Sequence, residues 1–312
     1  MPVIEVTNLH KRYGSQVAVR DVSFTVTAGE VFGVLGTNGA GKTTTVECVA
    51  GLRVPNGGGV SVLGLDPRAD AARLRPRVGV QLQEAQLPDR IRVHEALDLY
   101  ASFYPRPLDP DVLLDELGLL AQRGVAWRKL SGGQKQRLSI ALALVGDPEV
   151  ALLDELSTGL DPHGRREVWA VVERLRDRGV TILLVTHLMA EAERLCDRVA
   201  VIDAGRVVAL DTPAALTRRY GGDTLEDAFL ALTDSIDGTD GTDGTDRTDG
   251  IDRTDGTDRT DGPDTVGADG TSRTGVVPAR RARHHGTAGT DHTERAGRSR
   301  QAAGTGERED AR

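Results

Sequence analysis

An apolar run, "VFGVLG", passes straight into "GTNGAGKTT", so a buried strand ends in a glycine-rich loop. That loop in turn opens a helix, "KTTTVECVAGL", which Gly51 stops. Residues Gly36, Thr37, Asn38, Gly39, Ala40, Gly41, Lys42 and Thr43 match the pattern G-x-x-x-x-G-K-[ST] in full, and Thr44 follows. Glycines let the backbone curl until successive N–H groups point at phosphate oxygens. Lys42 adds a point charge there, and Thr43 offers a hydroxyl to Mg²⁺. A plain glycine turn is the bland alternative. The strand before the loop and the helix after it are what a phosphate cradle needs, and the cradle by itself specifies only a nucleotide.

The surrounding chain has the alternation that such a unit demands. "IEVTNLHKRYG", "VAVRDVSFTVTAGE" and "GGVSVLGL" are short, β-rich and punctuated by turns, which predicts an N-terminal antiparallel β-subdomain. "EVALLD", "TILLVTH", "RVAVID" and "RVVAL" read as further strands, the last two joined by the turn "DAGR". Residues 89–123 have helical spacing, broken at Pro105, Pro107 and Pro110, and belong to an α-helical subdomain over about 85–147. Strands separated by helices in this way predict an α/β fold with a mostly parallel sheet.

Two more segments carry chemistry. In "EVALLDE" an apolar strand delivers Asp154 and Glu155 to its carboxyl end, where open α/β sheets bind ligands. One carboxylate suits the Mg²⁺ shell, and its neighbour suits a base that deprotonates an attacking water. A solvated loop is the alternative, and a phosphate loop in the same domain weakens it. In "LSGGQKQR" a serine and two glycines precede an apolar-patterned helix, so free N–H groups at its N-terminus form a second anion site. One nucleotide has no use for two cradles almost a hundred residues apart in one chain.

Composition divides the chain near residue 233. Aromatic residues end at Phe229, and from Asp237 to Asp264 every third residue is aspartate. Residues 234–312 therefore read as a low-complexity, disordered Asp/Gly/Thr-rich tail, because little apolar surface is available to offset chain entropy. Calcium-binding nonapeptide repeats also alternate glycine and aspartate, but they carry an apolar residue in each turn, which this tail lacks. No apolar run approaches a membrane span of roughly 18 residues. The charged start "MPVIEVTNLHKRYG" is unlike a secretory signal. Cys48 and Cys196 are isolated and have no metal spacing, consistent with a reduced, cytoplasmic protein. A net charge of −8 argues against nucleic acid as a partner.

Taken in order, "KRYG", "GTNGAGKTT", "LQE", "LSGGQKQR", "LLDELSTGLDP" and "VTH" resemble the nucleotide-binding subunit of an ABC transporter, over residues 2 to about 232. The resemblance implies a P-loop NTPase with a RecA-like core, and ATP and Mg²⁺ as cofactors. It also implies two subunits, a homodimer or pseudo-dimer, packed head to tail. Each ATP is then held between the phosphate loop of one subunit and the LSGGQ segment of the other, which is why one chain carries two cradles. Ser131, Gly132, Gly133 and Gln134 would serve the partner's nucleotide. Tyr13 matches the aromatic that stacks on adenine, and Asp161 the acid of the loop that communicates across the dimer. Thr43, Gln83 and Asp154 match the Mg²⁺ ligands. Glu155 matches the base, His187 the γ-phosphate contact, and Gln83 the glutamine that also reaches the attacking water. Gln81 competes with Gln83, but "EAQLP" aligns Gln83 better. His10, His94 and His163 match nothing and read as surface residues.

Two positions depart from the family pattern: Leu156 stands where proline usually follows the "DE" pair, and Thr37 replaces a common proline in the phosphate loop. "HLMAEAERLCDRVAVIDAGRVVALDTPAAL" and "GGDTLEDAFLALT" resemble ATPases that serve separate exporter permeases, in particular the bacterial daunorubicin/doxorubicin-resistance type. That likeness implies drug or antibiotic efflux, ATP hydrolysis, and peripheral attachment to the cytoplasmic face of the membrane. The permease would dock on a groove near Gln83 and the helices of residues 85–120. A ribosome-associated ABC protein would hold two nucleotide domains in one chain. A chromosome-condensation ATPase would insert a long coiled coil between the phosphate loop and LSGGQ, and neither feature is present. A non-transport regulatory ATPase is the remaining rival, and a neighbouring gene for a six-helix membrane protein discriminates against it.

Overall fold

A computed structural model describes residues 2–82 and 86–237, with side chains to residue 233. Nine strands form one sheet: β1 (Pro2–Tyr13), β2 (Gln16–Thr27), β3 (Val31–Leu35), β4 (Gly57–Val62), β5 (Val78–Gln81), β6 (Val150–Asp154), β7 (Thr181–Thr186), β8 (Arg198–Asp203) and β9 (Arg206–Asp211). Their spatial order is β4-β1-β2-β9-β8-β3-β7-β6-β5. Strands β8, β3, β7, β6 and β5, from the middle of the sheet to one edge, run parallel. The flank β4-β1-β2 is antiparallel and meets β9 only at Asp21↔Arg206. The expected α/β architecture and N-terminal antiparallel segment are both present. Strand β5 was not expected, because "VGVQ" is too short to show a period.

Side-chain parity builds two cores. From β3, Val31 and Leu35 enter one apolar cluster, and Phe32 and Val34 the other. Strands β6 and β7 divide in the same way: Ala151, Leu153, Ile182 and Leu184 on one face, and Val150, Leu152, Leu183 and Val185 on the other. Burial on both faces explains why these strands read as unbroken apolar runs. Gly33 is glycine because β3 lies against the next layer. A Cβ there would come within 2.8 Å of Cys196 Sγ and of a Val199 methyl.

The helices are α1 (Lys42–Val49), α2 (Ala71–Leu74), α3 (Val93–Ala101), α4 (Pro110–Glu116), α5 (Gly132–Leu144), α6 (Pro162–Asp177), α7 (Met189–Leu195), α8 (Pro213–Tyr220) and α9 (Leu225–Asp237). Helices α4, α6 and α8 start alike, with Asp109, Asp161 or Thr212 as N-cap and proline at the first turn. Pro110 therefore begins a helix where the sequence reading had it break one. Its missing N–H falls where no intrahelical partner exists. Helices α3, α4 and α5 occupy the segment expected to be helical. Helix α9 runs four residues beyond the expected boundary at 233, and the tail past Asp237 lies outside the described residues.

Candidate active site

The site is built on three adjacent strand ends, β3, β7 and β6. From β3 the chain turns through residues 36–41 into α1, whose N-cap, Gly41, has φ 103°. A Cβ at Gly41 would lie 2.5 Å from the Ala18 carbonyl oxygen, so any side chain there is both strained and blocked. Thr37, Asn38 and Gly39 are exposed at the loop's rim, and Ala40 is buried beneath it. The Lys42 ammonium is almost enclosed and donates to the Gly36 and Thr37 carbonyls, at 2.9 Å each. Burial lowers its pKa, and the carboxylates of Glu155 and Asp154 oppose that shift. Thr43 is exposed beside Lys42, and Thr44 is half-buried.

Asp154 ends β6 with the parity of Val150 and Leu152, which pack in the cluster that contains Ala40, Val46 and Val49. Its carboxylate therefore falls on the α1 side of the sheet; a slip of one residue would put it on the other face. The side chain is 0 % exposed, and among the described residues neither carboxylate oxygen completes a hydrogen bond. Burial first, and then the Glu155 charge, push its pKa up to about 6. The Thr43 hydroxyl and the Lys42 ammonium lie close enough to favour the charged form in part. An enclosed carboxylate whose oxygens complete no hydrogen bond among the described residues, close to a threonine hydroxyl, fits the demand of a hard divalent cation for oxygen ligands. Its own N–H is bound by Gln81 Oε1 at 3.2 Å, and Gln81 Nε2 donates to the Leu82 carbonyl. Gln81 is thus engaged with backbone. Gln83 lies outside the described residues.

Glu155 takes φ 51°, a left-handed conformation that costs a non-glycine residue about 1 kcal/mol. Its N–H donates to the Val185 carbonyl at 2.9 Å, tying the end of β6 to β7. His187 follows β7, and its Nδ1 lies 3.1 Å from Glu155 Oε1. An ionised carboxylate only accepts, so Nδ1 carries the proton in this pair and leaves Nε2 for another group. Leu156, where the family pattern has proline, is fully buried, and its N–H makes no hydrogen bond among the described residues.

The remaining expected residues lie apart from this cluster or at its edge. Tyr13 ends β1 and is 42 % exposed, with Lys11 Nζ 5.1 Å and the Arg53 guanidinium 6.0 Å from its ring centroid. Ser131 caps α5: its hydroxyl accepts from the Gln134 N–H, and Gln134 Oε1 accepts from the Ser131 N–H. A side chain placed at Gly132 or Gly133 would first meet Leu160 or Gly164, at the start of α6. No hydrogen bond joins residues 131–134 to the phosphate loop among the described residues. Asp161 caps α6, accepting from the Gly164 N–H at 2.7 Å. His10 and His94 bind the carbonyls of Arg20 and Arg123, and His163 is exposed near Glu167.

A family model described as "ABC transporter" matches residues 19–158. Over 241 residues the chain is 39 % identical to the Nod factor export ATP-binding protein I of Rhizobium johnstonii, covering 73 % of this chain and 78 % of that protein. Among solved structures it resembles an ATP-binding subunit of an ABC transporter, with TM-score 0.67 and 30 % identity over 74 % of this chain and 99 % of the other. It also resembles cbiO1 of Clostridium perfringens, part of the ABC transporter complex cbiONQ, with TM-score 0.63 and 28 % identity over 70 % and 91 %.

Proposed function

The chain belongs to the ABC transporter family of ATP-binding subunits, and from that premise we propose that it hydrolyses MgATP in a head-to-tail dimer to drive export through a separate permease. Its activity is ATP hydrolysis. The observation that carries the site reading is the pairing of Glu155 with His187 beside the unpartnered carboxylate of Asp154, at strand ends next to the phosphate loop. Thr43 and Asp154 would hold Mg²⁺, with Gln83 as the third expected ligand; the ion, when bound, neutralises charge on the phosphates. Lys42 and the loop N–H groups hold the β- and γ-phosphates, and Tyr13 offers its exposed ring to adenine.

Glu155 accepts a proton from the water whose oxygen attacks the γ-phosphorus. The bond to the bridging oxygen breaks, and ADP leaves with that electron pair. His187 uses Nε2 toward the γ-phosphate while Nδ1 holds Glu155. The separation of Ser131–Gln134 from this chain's own phosphate loop supports a dimer in which α5 faces the partner's ATP. Asp161, at the start of α6 beside that segment, is suited to sense it. Glu155→Gln tests the reading: it keeps size and hydrogen bonding but cannot take the proton. Steady-state turnover should fall by about 10²–10⁴ while ATP still binds. Near wild-type turnover would remove Glu155 from the role of base.

No helix among the described residues is long and apolar enough to cross a membrane, so transport needs a second chain. The docking face we propose is an open groove of about 650 Å³, lined by Leu52, Pro67 and Leu74 on one side and by Tyr100, Phe103 and Tyr104 on the other. Phe103 is 69 % exposed, an unusual position for a large apolar ring. An apolar segment of the permease fits it, which would place the chain on the cytoplasmic face of the membrane. The export ATPases among its relatives support the direction of transport. Drug or antibiotic cargo is part of this reading, and the permease selects it.

A further inference from the structure

Behind the Glu155–His187 contact lies a second link between the same two loops. Ser157 is two residues beyond Glu155, and Glu191 is four beyond His187; both are 0 % exposed. Ser157 Oγ donates to Glu191 Oε1 at 2.6 Å, and the Trp169 indole N–H of α6 donates to the same oxygen at 3.0 Å. Glu191 Oε2 is enclosed and makes no hydrogen bond among the described residues. A helix start buried purely for stability has no need of a half-satisfied carboxylate, and an apolar residue of similar shape would cost less. Arg194, also on α7, pairs with Glu173 and lies 5.5 Å from the Trp169 ring centroid, so α6 and α7 are joined again one turn beyond Glu191.

We infer that Glu191 is a positioning residue for ATP hydrolysis. Through Ser157 it fixes the backbone that follows Glu155, and through its own helix it fixes His187, so the two side chains meet at one distance. The left-handed backbone of Glu155 needs such support, because it persists only where its surroundings over-determine it. The Glu155 N–H to Val185 and the Ser157 hydroxyl to Glu191 are ties of this kind. This assignment rests on the reading of Glu155 and His187 as the reacting pair.

The experiment is a crossed pair of variants in the full chain, with turnover, KM for ATP and melting temperature measured on each. Ser157→Ala removes one hydroxyl and leaves Glu191 bound to Trp169. Its kcat should fall about tenfold with KM and melting temperature nearly unchanged, because a small displacement at a reacting group is costly. Glu191→Gln keeps an accepting oxygen for Ser157 and Trp169 but buries an amide NH₂ at the Oε2 position, which has no hydrogen-bond partner among the described residues. It should melt lower yet retain kcat within about threefold. A purely structural role predicts that rate follows melting temperature, the reverse order. Glu155→Gln is run alongside. If it is inactive while Ser157→Ala keeps wild-type kcat, or if Glu191→Gln loses as much rate as Ser157→Ala, the positioning role fails and the site reading stands. If Glu155→Gln turns over normally, both fail.

Discussion

Asp154 is held in a place that disfavours its charge. Its folded pKa is about 6, against a reference of 3.8, so the folded chain binds the proton more tightly than the unfolded chain. The fold therefore loses stability as pH rises from about 4 to about 6, and carries the full cost above that. Asp154→Asn removes the cost. A rise from 3.8 to about 6 corresponds to about 3 kcal/mol. At pH 8 the variant's melting temperature should therefore exceed wild type by roughly 6–12 °C, at about 2–4 °C per kcal/mol for a domain of this size. The gain should vanish near pH 4, where wild-type Asp154 is itself protonated. Turnover with Mg²⁺ should be lost in the same variant, since the amide cannot replace an anionic ligand. A stability gain at pH 4 equal to that at pH 8 would assign it to packing. This exchange of stability for function is also why the residue stood out in the sequence: an acid ending an apolar strand has no folding reason to be there.

At the scale of elements, α5 separates capping from ligand binding. Ser131 uses its hydroxyl on the Gln134 N–H, which leaves the first N–H groups of the helix, those of Gly132 and Gly133, without an intrahelical partner. Ser131→Asp keeps an N-cap acceptor and suits the helix dipole, so the fold should be unaffected, with melting within about 2 °C of wild type. The added charge would repel a partner's γ-phosphate. In a Glu155→Gln background, MgATP should drive dimerisation on size exclusion, and Ser131→Asp should abolish it. A dimer that survives would move the signature segment away from the nucleotide. The starts of α4, α6 and α8 were legible in principle from their "DP" and "TP" pairs, which supply both the cap and the first turn, though the sequence reading took Pro110 as a break and drew no start from the other two. Strand β5 was not, because its four residues acquire a partner only when β6 arrives from seventy residues away.

For the whole molecule, the docking role proposed for the groove between the α1 end and the α3 end can be tested apart from catalysis. Phe103→Asp should leave ATP turnover of the isolated chain within about twofold, since an exposed side chain far from the core changes stability little. It should eliminate co-purification with the permease, and wild-type co-purification of the variant would place docking elsewhere. Removal of residues 238–312 should likewise leave turnover within about threefold, as expected of a terminus whose composition supplies no core. A tenfold loss would show that the tail acts on the domain.

The sequence alone determined what depends on neighbours along the chain. Spacing within one loop made the phosphate-loop pattern legible, and an acidic pair at the end of an apolar strand marked Asp154 and Glu155 as candidate carboxylates, while the three proline-led helix starts went unread. Contacts across the fold were decided only in three dimensions. Gln81 reads like a rival for the water-binding glutamine until its side chain is seen holding the Asp154 N–H. Glu191 reads as one more charge at a helix start, until β6 and β7 align side by side and bring Ser157 against it. Pairing of strands that lie far apart in sequence sets which side chains share an enclosed space, and that space determines whether a polar group is solvated, bonded or left unpartnered. No period along the chain encodes it.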